Sequence, residues 1–122
     1  MNKRQLGNTN INLTAIGFGG APLGNLFENL NERNCYDILE KTYNEGINIY
    51  DTSPLYGYGL SEHRLGNFLK TVDEESYFLS TKVGRYLTPA KKDSIDRGRF
   101  AGSLNFSPNL DYSYDGVMRA FE

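Results

Sequence analysis

The hydrophobic and polar positions of the chain follow two periods. Short apolar runs predict strands at residues 14–19, 47–51 and 77–82. Between the first two, apolar residues recur every three or four positions and predict a helix over residues 32–45. A second apolar stripe follows residue 51 and predicts another helix, with Ser61 as its N-cap. Strands that alternate with helices indicate βαβ units and a parallel sheet, so the predicted fold class is α/β.

The remaining stretches are of three kinds. Residues 3–13 predict an N-terminal β-hairpin, because Gly7 and Asn8 supply turn residues between apolar flanks. Residues 83–113 show no firm element, and a connection of that length is typical of a functional lid or a disordered segment. The segment carries aromatic candidates for a substrate pocket, namely Tyr86, Phe100, Phe106 and Tyr112. The final "YDGVMRAFE" predicts the start of a further helix, and no linker divides residues 1–122.

Composition narrows the class of protein. Of the 122 residues, 39% are hydrophobic and 23% charged, which is typical of a globular domain. The net charge is -2 with both signs interspersed, so we expect no nucleic-acid partner. No apolar run is long enough to cross a bilayer, and the single cysteine, Cys35, fits a reducing compartment. These features predict a cytoplasmic protein with no membrane partner. We expect no metal site, because His63 has no second His or Cys at ligand spacing.

Three polar residues stand where chemistry is expected in a parallel α/β fold. Asp51 ends the second predicted strand, Lys82 ends the third, and Tyr56 follows Asp51 in a loop that contains Gly57 and Gly59. Function gathers at the carboxyl ends of such strands. Neighbouring strands lie about 4.8 Å apart, so side chains at matching depth are in reach of one another. The sequence therefore predicts a carboxylate, an ammonium and a phenol at one edge of the sheet.

Such a cluster would make a phenol a useful acid or base. A free phenol has a pKa of about 10, too high for a base at neutral pH. An ammonium about 4 Å away stabilises phenolate by about 4 kcal/mol at an effective dielectric constant near 20. Asp51 would keep Lys82 charged and oriented without carrying the proton itself. The alternative also stands, because strand-end ion pairs are often structural and a loop tyrosine often only packs.

The glycines of "GFGGAPLG" raise the question of a nucleotide site. Pro22 occupies the place of the third glycine of a dinucleotide fingerprint, and no helix follows at once, so a Rossmann site is excluded. Approach of a ligand to the backbone near Gly20 and Ala21 and a plain tight turn are equally compatible with this stretch.

The stretch "GINIYDTSPLYGYGLSEHRLG", followed by "LSTKVG", resembles the aldo-keto reductase superfamily. The opening "LGNTNINLTAIGFGGAPLG" is similar to that family's hairpin and first barrel strand, and "DYSYDGVMRAFE" is similar to its aldose dehydrogenase branch. The resemblance implies a (β/α)8 TIM barrel, of which residues 1–122 would form an incomplete N-terminal portion with a hairpin and three parallel strands. It also implies NADP or NAD as cofactor and a small aldehyde, ketone or sugar as substrate.

The resemblance assigns roles to individual residues. Asp51, Tyr56 and Lys82 match three of the four catalytic positions, with Tyr56 as general acid/base. Asp51, Gly20 and Ala21 would border the nicotinamide. The fourth member, a histidine, is expected beyond Glu122, and His63 does not replace it.

Other expectations concern the part of the family fold that residues 1–122 would not supply. The determinants that separate NAD from NADP are also expected beyond Glu122. Three parallel strands with open edges would expose backbone donors and apolar faces. We therefore expect the isolated chain to be an inactive fragment that is unstable and aggregates or self-associates. Two other readings stay open, a regulatory or binding subunit with this fold and a truncated, non-functional reading frame. The sequence leaves the oligomeric state undetermined.

Overall fold

The computed structural model describes residues 1–121. At the N-terminus, β1 (Lys3–Gln5) pairs with β2 (Asn12–Thr14) in an antiparallel hairpin, as predicted. The hairpin is joined to the rest of the chain by Asn48. The side chain of Asn48 accepts a hydrogen bond from the Thr14 amide at 2.8 Å and donates one to the Asn12 carbonyl at 2.9 Å. These bonds fix the hairpin beside residue 49, where the middle strand of the central sheet begins.

Three parallel strands form the central sheet. They are β3 (Phe18–Gly19), β4 (Ile49–Asp51) and β5 (Phe78–Ser80), in the order β3-β4-β5. The parallel arrangement is confirmed, but each strand is shorter than the apolar pattern suggested. Residue 14 belongs to the hairpin, and Lys82 lies two residues beyond the end of β5.

Two helices connect these strands. The helix α1 (Glu32–Asn44) begins as predicted, because the Asn31 side chain accepts a hydrogen bond from the Asn34 amide at 2.8 Å. The helix α2 (Leu60–Leu69) begins earlier than predicted, with Gly59 as its N-cap. The prediction of Ser61 as the cap is wrong.

Ser61 makes tertiary contacts instead of capping α2. Its hydroxyl donates to the Gly20 carbonyl at 2.7 Å and contacts the Thr52 hydroxyl at 2.9 Å. Ser61 therefore ties α2 to the ends of β3 and β4.

The core lies between the helices and one face of the sheet. Tyr50 of β4 is fully buried and belongs to a single apolar cluster with residues of both helices. The cluster consists of Leu23, Cys35, Leu39, Tyr50, Leu65, Phe68 and Leu69. Because side chains alternate along a strand, Ile49 and Asp51 point to the opposite face of the sheet. The carboxylate of Asp51 is thus directed away from the helices.

Residues 83–113 are more ordered than the sequence suggested. They contain β6 (Arg85–Pro89) and β7 (Phe106–Leu110), which pair in an antiparallel hairpin. The prediction of no firm element in this stretch is wrong. A two-stranded ribbon has only edge strands, and edge strands tolerate proline, which is why Pro89 and Pro108 do not prevent pairing.

The chain then enters α3 (Tyr114–Phe121), as predicted, while Glu122 lies outside the described residues. Within residues 1–121, none of the helices has the length and apolar character needed to span a membrane.

Candidate active site

The polar cluster predicted at the sheet edge is present. The strand β4 ends at Asp51, and the Lys82 Nζ donates to Asp51 Oδ2 at 2.6 Å and to the Thr52 carbonyl at 2.9 Å. The Ser80 hydroxyl donates to the other oxygen, Asp51 Oδ1, at 3.0 Å. Both carboxylate oxygens of Asp51 are therefore bonded, and the carboxylate is fixed in orientation.

Tyr56 reaches the same edge from the loop between β4 and α2. The Lys82 Nζ lies 5.0 Å from the centroid of the Tyr56 ring, within the range of a cation–π contact. The loop is held in place by close backbone packing. Gly57 has φ of 64°, and a Cβ there would lie 2.5 Å from the Gly24 carbonyl oxygen. The structure thus brings Asp51, Tyr56 and Lys82 together.

Lys82 is the centre of this cluster. Its side chain is 46% exposed and that of Asp51 is 44% exposed, so both are open to small molecules. Burial lowers the pKa of Lys82, but the hydrogen bond with Asp51 and the adjacent Tyr56 side chain raise it more. The net effect places the pKa of Lys82 above the ordinary lysine value, and the ammonium stays charged at neutral pH.

The glycine stretch predicted to approach a cofactor lies next to the cluster. The Gly20 amide donates to the Asp51 carbonyl at 2.7 Å, and the Gly20 carbonyl accepts from Ser61. Ala21 follows and opens a 3-10 turn, Ala21–Gly24. Because the Gly20 amide is already bonded within the protein, it has no free N–H to donate to a cofactor. Cofactor contact at Gly20 and Ala21 stays a prediction.

Phe100 is the neighbour of the cluster to which sequence reasoning gave no individual role. Its ring lies 6.2 Å from the Tyr56 ring between centroids, with an interplanar angle of 37°. The only signal in the sequence was its membership of the aromatic set in residues 83–113. A cross-chain contact of this kind is not visible in local spacing.

The other aromatic residues of that set have different surroundings. Phe106 lines a cavity of about 360 Å³ between the β6–β7 hairpin and α2, with Tyr58 and His63 also in its wall. Tyr86 lies under Arg119, whose guanidinium carbon is 5.6 Å from the ring centroid, while Tyr112 is exposed. Among residues 1–121, no three His, Cys, Asp or Glu side chains come together as a metal site would require.

Comparison with known proteins gives a family match over most of the chain. The sequence model of the Aldo/keto reductase family matches residues 15–109. The pyridoxal 4-dehydrogenase of Microbacterium luteolum is 43% identical over 130 aligned positions, which cover 98% of this chain and 37% of that enzyme. The D-threo-aldose 1-dehydrogenase of a Pseudomonas species is 47% identical over 77 positions, covering 63% of this chain and 23% of the relative.

Solved structures give the same result. The chain is similar to an aldo-keto reductase from Bacillus halodurans in its holo form, with a TM-score of 0.70 and 28% identity. The match covers 98% of this chain and 34% of that structure. The chain therefore spans about a third of the length of this structure and of the Microbacterium luteolum enzyme.

Proposed function

The chain belongs to the Aldo/keto reductase family, and on that premise we propose that its polar cluster serves an oxidoreductase. The proposed reaction transfers a hydride between NADP or NAD and a small aldehyde, ketone or sugar. Tyr56 acts as the general acid/base, Lys82 supplies the positive charge beside it, and Asp51 holds Lys82. The observation that supports this most is that one ammonium contacts both the carboxylate and the phenol ring.

The residues at the sheet edge fit a nicotinamide. The register places Gly19 beside Asp51, and nothing lies within 4 Å of the point that a Gly19 side chain would occupy. A flat ring therefore has open backbone next to a half-exposed carboxylate. Asp51, Gly20 and Ala21 would border the bound nicotinamide, which supplies or accepts the hydride.

The proton follows a separate route through this chain's own side chains. In the direction of reduction, the Tyr56 hydroxyl donates its proton to the substrate oxygen as that oxygen gains negative charge. The Lys82 ammonium lowers the energy of the phenolate that remains. In the direction of oxidation, the same phenolate accepts the proton of the substrate hydroxyl. Asp51 keeps Lys82 charged in both directions and transfers no proton.

The experiment is Tyr56→Phe in the full-length protein. General acid–base catalysis contributes about a hundredfold to ten-thousandfold, so kcat should fall by that factor. Cofactor affinity, measured by calorimetry, should stay close to the wild-type value. Turnover at the wild-type rate in Tyr56→Phe would contradict the role of Tyr56. If the wild-type protein binds the cofactor but turns over no carbonyl or sugar substrate, the result supports the alternative of a regulatory or binding subunit with this fold.

A further inference from the structure

The connection between β6 and β7 does not project into solvent. Residues 96–104, here called the return segment, fold back against residues 25–27, in the loop between β3 and α1. The Phe27 amide donates to the Arg99 carbonyl at 2.7 Å, and the Ala101 amide donates to the Asn25 carbonyl at 3.0 Å. Backbone hydrogen bonds on both sides of residue 100 therefore fix its position relative to that loop.

The return segment also holds its own shape. The Arg97 guanidinium donates to the Ser103 hydroxyl at 2.7 Å and to Asn105 Oδ1 at 2.9 Å, which closes the segment on itself. The Tyr58 hydroxyl donates to the Asp96 carbonyl and joins the segment to the loop that carries Tyr56. Phe100 therefore lies in a segment whose conformation is held by hydrogen bonds.

The ring of Phe100 meets the loop that bears the proposed acid/base. Its centroid lies 6.2 Å from that of Tyr56 and 6.3 Å from that of Tyr58, distances typical of favourable aromatic pairs. The Leu104 amide donates to the Gly57 carbonyl at 3.0 Å, so the backbone next to Tyr56 is bonded to the same segment. Tyr56 therefore has an aromatic neighbour in addition to Lys82.

We propose that Phe100 is a positioning residue for Tyr56, an inference that rests on the proposed function. Tyr56 lies on a glycine-flanked loop and its ring is only half-buried, so its rotamer is not set by the core. Contact with Phe100 restricts the ring to the side of Lys82. The position of a proton donor matters because a displacement of about 1 Å can cost about a hundredfold in rate.

The test compares Phe100→Leu with Phe100→Tyr in the full-length protein. Phe100→Leu removes the ring, and kcat should fall about tenfold to a hundredfold. The affinity for NADP or NAD should be unchanged in calorimetry. Phe100→Tyr keeps the ring and should restore kcat close to wild type. The matched control is Phe27→Leu, because the Phe27 ring is 71% exposed and lies 6.0 Å from the Arg99 guanidinium carbon of the same segment. Phe27→Leu leaves the Phe100 ring in place, and its kcat should not change.

A second measurement distinguishes a positioning role from a general loss of structure in the variant. In a Tyr56→Phe background, Phe100→Leu should cause no further loss of kcat, because the group that it positions is gone. A crystal structure of Phe100→Leu should show the Tyr56 ring displaced or split, with the contact between Lys82 and Asp51 intact. If Phe100→Leu does not fold, Phe100→Met replaces it in the same comparison, because Met also lacks the ring and its flexible side chain fills irregular space.

Each outcome bears on one proposal. Wild-type kcat in Phe100→Leu together with an inactive Tyr56→Phe overturns the positioning role and leaves the proposed function standing. An equal loss from Phe100→Leu in both backgrounds also overturns it. Retained turnover in Tyr56→Phe overturns the proposed function itself.

Discussion

Two regions of the molecule are each stabilised by one arginine, and the two arginines differ in how far along the sequence their hydrogen-bond partners lie. In the sheet and its two helices, the buried Arg64 donates to the carbonyls of Leu23 at 2.7 Å and Leu30 at 2.8 Å, and pairs with Glu32 at 2.6 Å. All of these partners lie more than thirty positions away in sequence. In the β6–β7 region, Arg97 bonds groups only six to eight positions away.

This difference describes how each region is stabilised. The sheet and helices depend on contacts between distant segments, so that losing one contact weakens the whole unit. The β6–β7 region closes largely on itself and meets the first region through the return segment and through the cavity that its hairpin shares with α2. The proposed site lies where the two regions touch, with Asp51 and Lys82 from the sheet edge and Phe100 from the return segment.

The largest expected difference in stability separates the two arginines. Arg64→Met leaves buried carbonyls without donors, and we expect a loss of about 3 kcal/mol in the free energy of unfolding. Arg97→Met should cost about 1 kcal/mol, because Arg97 is only half-buried and water can reach the groups that it leaves. Urea unfolding of the full-length protein, followed by circular dichroism, measures both values. Equal losses would show that the two regions are stabilised alike.

A smaller difference is expected at alkaline pH. Burial, with a further contribution from Tyr43, raises the pKa of Tyr50 to about 12. A raised pKa favours the neutral phenol in the folded state. This stabilisation is complete below the ordinary tyrosine value of about 10 and is lost as the pH rises toward about 12.

The comparison sets Tyr50 of the core against Tyr58, whose hydroxyl bonds to the β6–β7 region at Asp96. In Tyr50→Phe the alkaline decline in unfolding free energy should shrink by about 2 kcal/mol across that window. In Tyr58→Phe the alkaline decline in unfolding free energy should shrink by a smaller amount. Burial and then Asp96 raise the pKa of Tyr58, while Arg97 opposes them. Urea midpoints taken between about pH 9 and pH 12 test this, and an unchanged decline in Tyr50→Phe would refute it.

The same contrast explains what could be predicted from the sequence. The sheet with its helices follows from local signals, since apolar runs mark the strands and Asn31 caps α1 as expected. Asp51 and Lys82 could be placed together because parallel strands end at one edge. Ser61 was misjudged as a cap because its partners, Gly20 and Thr52, are distant in sequence. Local pattern cannot rank a distant partner above a nearby one.

The β6–β7 region was missed for a related reason. Its strands contain Pro89 and Pro108, which argue against a strand wherever its position in a sheet is unknown. The strands are separated by 16 residues, 90–105, so that no short turn marks a hairpin. The contact between Phe100 and Tyr56 depends on this pairing and could not be predicted before it. The core and the approach of Lys82 to Tyr56 were predictable, while the contact of Tyr56 with Phe100 was not.

The central claim is that Lys82 acts through Tyr56, and a double-mutant cycle in kcat tests it most directly. Lys82→Met should lower kcat about a hundredfold, while Lys70→Met, an exposed lysine at the end of α2, should leave kcat unchanged. The double variant Tyr56→Phe with Lys82→Met should be no slower than Tyr56→Phe alone, because groups that act as a unit lose their effect together. Losses that multiply in the double variant, or wild-type kcat in Lys82→Met, would contradict the account.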